Sequence, residues 1–277
     1  MPSQHFPDHT IVPEFKQLVI YTGNVMLTST TATAGKHWNK KSNTELVQAI
    51  SDTLDISLNG TDKPSFRYYT ETELLEVPDL RLSSRIHPDD RNDVEVTAKL
   101  FYLDSCSEYQ PSHIDKAIHH LQQLLDVASI DTFIVSFDAD DSASSVSKAW
   151  KDLEAYHERG VISKLGLADF DHQTLTDFLN KKDLKVKPCI DQVHFDQCCS
   201  LPQDLIRLGK EKGIEMTFNG DSTEILTTDA LSTLLSNHNV INERTSVKPR
   251  WVLKYNVFFK CRSVVADKGY IVVGDVA

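Results

Sequence analysis

AWKDLEAYHERGVISKLGLADF, residues 149–170, is the stretch whose reading decides the fold. Val146, just upstream, joins Ala149, Trp150 and Leu153 at helical spacing, which puts four apolar side chains on one face. Gly160 stands where a helix ends on a residue that tolerates positive φ. Residues 162–170 then read as a short apolar strand that closes on Ala168-Asp169. A striped helix, a glycine stop and a strand make the repeating unit of a parallel sheet covered by helices.

The same alternation extends in both directions. Strands are expected over residues 17–24, 94–103, 131–138, 189–195 and 214–219. A helix is expected over residues 113–128, where Ile114, Ala117, Ile118, Leu121, Leu124, Leu125 and Ala128 share a face. Another runs over about 201–212, with Pro202 in its first turn and Gly213 at its stop. The zone 26–93 reads as irregular, holding one helix near 43–54 and a strand near 66–70. Residues 251–259 fit a helix or a buried strand equally well, and 269–273 read as a short strand. No repeat or linker divides the chain. The expectation is one α/β domain over residues 1–277, a (β/α)8 barrel with a modified N-terminal third and C-terminus, and with residues 1–14 disordered.

A formal net charge of -11 argues against a nucleic-acid binder, which needs a basic surface to displace counterions. No apolar run approaches the roughly 20 residues that cross a bilayer. The first ten residues, MPSQHFPDHT, lack the apolar core of a secretory signal. Five cysteines without a CxxC read as free thiols of a reducing compartment. The expected setting is the cytoplasm, with the nucleus also open to it. The histidines show no ligand spacing with cysteine or carboxylates, and Asp138, Asp140 and Asp141 read as a solvated loop, so no metal site is expected.

The strand ending in Ala168-Asp169 resembles the aldo-keto reductases, in which this strand ends in Ser-Asn and that pair holds a nicotinamide amide. The resemblance implies a carbonyl reductase frame using NADPH, with a tyrosine acid, a lysine paired to an aspartate, and a histidine that orients the carbonyl. Lys99, in TAKLF, matches the family lysine. Ser136 stands where the family histidine belongs, and the Asp-x4-Tyr pair is missing, because Lys63 and Pro64 precede Tyr68 and Tyr69 by five positions. Gln192 matches the glutamine that binds the nicotinamide amide, while Asp191 replaces the usual preceding asparagine. Asn219 takes the place of the aromatic residue that stacks on the nicotinamide. The late Lys-Ser-x4-Arg clamp is absent in that form, though Lys260, Arg262 and Lys268 supply charge. The resemblance therefore implies no catalytic residue beyond a vestigial Lys99 and no resident cofactor, with at most weak NADPH binding through Lys99 and Gln192.

One branch of that fold family fits more closely. Thr22-Gly23-Asn24, Ala98-Lys99-Leu100-Phe101, Gln192-Val193, Cys198-Cys199 with Pro202, Asp204 and Leu205, and the W-x-L-x-Y-x-V-x-x-K-x-R run from Trp251 to Arg262 resemble the regulatory (modifier) subunits of glutamate–cysteine ligase. This resemblance implies a non-catalytic protein of glutathione biosynthesis that forms a heterodimer with the ligase's catalytic subunit, improves its use of glutamate and relieves feedback inhibition by glutathione. The alternatives are an NADPH-dependent carbonyl oxidoreductase built on Lys99 and Tyr69, and a scaffold that senses cofactor.

Contact candidates follow from local chemistry. Cys198-Cys199 sits after a strand and beside a helix start, where a thiol gains thiolate character, and reads as a redox or intersubunit-disulfide site or as two small packing residues. Trp251, Lys254 and Tyr255 interleave aromatic and basic groups, as partner contacts do, or else form a helix face closing the barrel.

Overall fold

In the computed structural model of this chain the described residues are 11–28, 42–59, 63–80, 86–103, 111–137, 143–194, 202–222, 224–262 and 264–277. The deciding stretch folds as read. Helix α4 (Ala143–Glu158) stops before Gly160, whose φ is 72°, and strand β6 (Ile162–Ala168) follows. Trp150 is anchored at both ends, its ring edge-on to Phe178 and its Nε1 donating to the Val186 carbonyl at 2.8 Å.

Before α4 the chain forms β1 (Gln17–Tyr21), α1 (Val25–Thr28), α2 (Ser42–Leu54), β2 (Arg67–Tyr69), β3 (Leu74–Val77), β4 (Val94–Tyr102), α3 (Pro111–Leu125) and β5 (Ile130–Ser136). After β6 come α5 (His172–Leu179), β7 (Ile190–His194), α6 (Gln203–Lys212), β8 (Glu215–Asn219), α7 (Thr228–Asn237), β9 (Val247–Phe259) and β10 (Val264–Val276). A π-helical turn (Asp55–Asn59) extends α2, and a 3-10 turn (Pro88–Asp93) leads into β4. The zone expected to be irregular is thus partly regular.

All ten strands belong to one sheet, in the order β2-β3-β1-β10-β9-β4-β5-β6-β7-β8. From β4 to β8 the strands are parallel, which is the barrel-like repeat the sequence announced. The expected modifications lie at the N-terminal third and the C-terminus. The stretch 251–259 is strand, part of a long antiparallel hairpin, β9–β10, inserted between β1 and β4. As a result β1 runs antiparallel to β10. No strand pair joins β8 back to β2 among the described residues.

Both faces of the sheet are covered. On one face Val96, Ala98, Leu100, Phe133, Val135, Leu165 and Leu167 pack under residues of α3 to α6. On the other, Leu18, Ile20, Phe101, Val252, Tyr270 and Val272 pack against Leu46, Ile50 and Leu54 of α2 and Leu231 and Leu235 of α7. Strand alternation sorts the residues between these faces. At the N-terminal end, Ile11 donates its amide to the Asn239 carbonyl at 2.9 Å and Val12 is buried. The ordered chain therefore starts earlier than residue 14; residues 1–10 lie outside the described part.

Candidate functional site

Register builds the site. Lys99 pairs with Lys254 on one side and Ile134 on the other, and Lys254 pairs with Tyr270, so these four lie in one row across the sheet. Two residues further along β4, Phe101 aligns with Ser136, then Ala168, Gln192 and Thr217. Period-two alternation puts both rows on the face shared with α2 and α7. Lys99, Ser136, Gln192 and Lys254 are thereby brought to one face.

The residue that organises this face is Asp221, just past the end of β8. It is 3% exposed. Its Oδ1 accepts from Lys254 Nζ at 2.7 Å and from the Ser42 hydroxyl at the start of α2. Its Oδ2 lies 3.5 Å from Lys99 Nζ and accepts from Asn219 Nδ2 at 3.2 Å. Its carbonyl bonds His194 Nδ1 at 2.7 Å. Burial pushes the Asp221 carboxyl up, but Lys254 and Lys99 pull it further down, and it is held below the ordinary carboxylate range. Burial lowers the Lys99 ammonium, with Asp221 and Asp169 opposing and Lys254 adding to the loss. One carboxylate thus serves two lysines, Lys254 more closely than Lys99. Beside them Glu45 takes Lys268 Nζ and the Tyr270 hydroxyl.

Sequence reasoning passed over Asp221. The signal was modest: a carboxylate in the turn Asn219-Gly220-Asp221, immediately after a parallel strand, where sites of such sheets gather. At the ends of β6 and β7 a cavity of about 480 Å³ opens nearby, lined by Asp169, Phe170, His172, Val193, His194 and Leu205 among others.

Other expectations are corrected. Trp251 (0% exposed) and Tyr255 (2% exposed) lie on a strand in the core under α3 to α6, so they form neither a helix face nor a partner surface. Lys254 faces the opposite side and is held by Asp221. Tyr69 donates to Glu76 Oε2 at 3.0 Å, and register puts both on the face away from Lys99. No hydrogen bond joins Lys99 to a tyrosine among the described residues. Cys198, Cys199, Asp138, Asp140 and Asp141 lie outside the described residues. Among the described residues no group of three or more His, Cys, Asp or Glu side chains could hold a metal ion, and no helix is long and apolar enough to cross a membrane.

The nicotinamide dinucleotide implied by the family resemblance does not fit these residues. Ala168 offers no hydroxyl. Asp169 accepts the His194 amide at 2.6 Å, and its side chain lacks the amide N–H with which an asparagine donates to a carboxamide oxygen. Asn219 has no ring to stack on and is engaged with Asp221. Among the described residues Gln192 Oε1 and Asp169 Oδ2 are buried without a hydrogen-bond partner and are what remains of the amide site.

Comparison with known proteins adds four findings. The Aldo/keto reductase family matches residues 30–269. The human glutamate–cysteine ligase regulatory subunit is 28% identical over 204 residues, covering 72% of this chain and 73% of that protein. A putative glutamate–cysteine ligase regulatory subunit of Schizosaccharomyces pombe is 24% identical over 291 aligned positions, covering 94% and 96%. Mouse aldo-keto reductase family 1 member C13 is 23% identical over 164 residues, covering 53% and 49%.

Proposed function

The chain belongs to the aldo/keto reductase family, and on that premise we propose that it is a non-catalytic regulatory subunit of glutamate–cysteine ligase. In this reading it binds the catalytic subunit as a heterodimer in the cytoplasm, improves that subunit's use of glutamate and relieves feedback inhibition by glutathione. The observation that carries it is the state of Lys99. A reductase needs this lysine to sharpen a tyrosine acid. Here it is buried against Asp221, with Ser136 in the neighbouring row; Tyr69, offered by the sequence as an acid, is on the other face, and among the described residues no hydrogen bond joins Lys99 to a tyrosine. Similarity to proteins named as regulatory subunits runs along nearly the whole chain.

Activation by a subunit is a coupling free energy: the subunit must bind the catalytic chain's active conformation more tightly than its inactive one. The test is co-purification of both folded chains at micromolar concentration, followed by steady-state kinetics of the ligase. A lowered KM for glutamate and a raised inhibition constant for glutathione are expected in the complex. Failure to associate, or turnover of an aldehyde panel by the isolated chain that is lost in Lys99→Met, would overturn the reading.

A further inference from the structure

We propose that Asp221 is an anion built into the chain, filling from within the place where a free anion would meet Lys99, Lys254 and the start of α2. Two ammonium groups and a helix start are the elements with which proteins hold phosphates and carboxylates. Here all of them converge on one carboxylate: Lys254 Nζ at 2.7 Å, Lys99 Nζ at 3.5 Å and the hydroxyl of Ser42, the first residue of the 13-residue α2. Asn219 and the backbone fix the approach, since Asn219 Nδ2 bonds Oδ2 and Asn219 Oδ1 accepts the Asp221 amide at 3.0 Å.

A tethered anion competes intramolecularly, at high effective concentration. A free phosphate or carboxylate entering this place would also leave Asp221 buried and unpaired, which opposes its entry. Asp221 is thus the residue that decides what this face accepts. It satisfies the two lysines that an entering anion would otherwise seek, and it presents negative charge to that anion. The inference deepens the non-catalytic reading and rests on it for its purpose.

Acetate, which restores the carboxylate that truncation removes, is the probe. In Asp221→Ala the two lysines lose their counter-charge, and acetate at about 100 times its dissociation constant is expected to raise the Tm by roughly 5 °C. Wild-type chain, and Asp221→Ala combined with Lys254→Met, are expected to show no such shift at equal ionic strength. Where Asp221→Ala is recovered unfolded, refolding yield with and without acetate replaces the Tm, and a yield rising with acetate supports the proposal. Absence of an acetate effect in both measurements overturns it, as does saturable micromolar NADPH binding by wild type, read by fluorescence. These measurements use the isolated chain, so their failure is distinct from a failure to bind the catalytic subunit.

Discussion

Asp191 is the residue whose chemistry is most sensitive to solution conditions. It is the second residue of β7, with no exposed surface, and among the described residues neither carboxyl oxygen has a partner in good hydrogen-bond geometry. Register aligns it with Leu167 and Met216, on the face under the helices. Burial pushes its pKa up from 3.8 to about 7; Asp169 adds to the rise, while the Phe170 backbone and Lys99 oppose it. The unfolded chain therefore gives up this proton first. Stability falls as pH rises from about 4 to about 7 and levels off above that. Asp191→Asn removes the penalty, and at pH 8 it is expected to stabilise the fold by about 2–4 kcal/mol. Urea unfolding across pH checks this: the gain should shrink toward zero at pH 4. Asp191 and Asp169 both stand where the reductases carry asparagine. That departure could be read in the sequence, as could Ser136 in the place where the resemblance to the reductases implies a histidine. What was hidden was Asp221, because a shared carboxylate is assembled from α2, β4, β9 and the end of β8, and no local pattern joins segments so far apart.

At the scale of elements, the β9–β10 hairpin explains where local reading succeeds and fails. Trp251 and Tyr255, four residues apart, satisfy a helix of period 3.6 and a strand of period 2 equally well. Only pairing decides: Trp251, Leu253, Tyr255 and Val257 line one face while Val252 and Lys254 turn to the other. The stretch 149–170 carried no such ambiguity, since Gly160 marked the break between its two periods. Trp251→Ala should cost about 3–5 kcal/mol, as a large core truncation does, measured by chemical denaturation. Any loss of partner binding in that variant would follow the loss of fold. Gly269 faces Tyr255 across the hairpin, and a Cβ there would lie 2.6 Å from the Tyr255 hydroxyl oxygen. Gly269→Ala is expected to destabilise by about 1–3 kcal/mol, and adding Tyr255→Phe should recover part of that loss in thermal melts.

Across the whole molecule, the two parts of the sheet differ in how their strands are paired. The parallel strands β4 to β8 with α3 to α6 keep the family frame, and their order was readable because each helix and strand announces itself locally. The other half, where β1, β3 and the hairpin meet α2 and α7, depends on long-range pairing, which leaves no period in the sequence. The face under α2 and α7 gathers Lys99, Ser136, Gln192 and Lys254, with Lys99 against Asp221 and Tyr69 on the other face. Such a frame can persist for shape alone, offering its outer surface to a second protein. The kinetic comparison of the ligase with and without this chain tests that statement at the scale on which it applies.

The insertion of β10 between β1 and β9 also has a bearing on biosynthesis. β1 meets its antiparallel neighbour only in β10, roughly 250 residues later in the chain. Until then the N-terminal strand and β4 have no bridge between them, and the growing polypeptide carries two unjoined fragments with exposed edges. Joining of the two parts of the sheet therefore waits until the β9–β10 hairpin has been made.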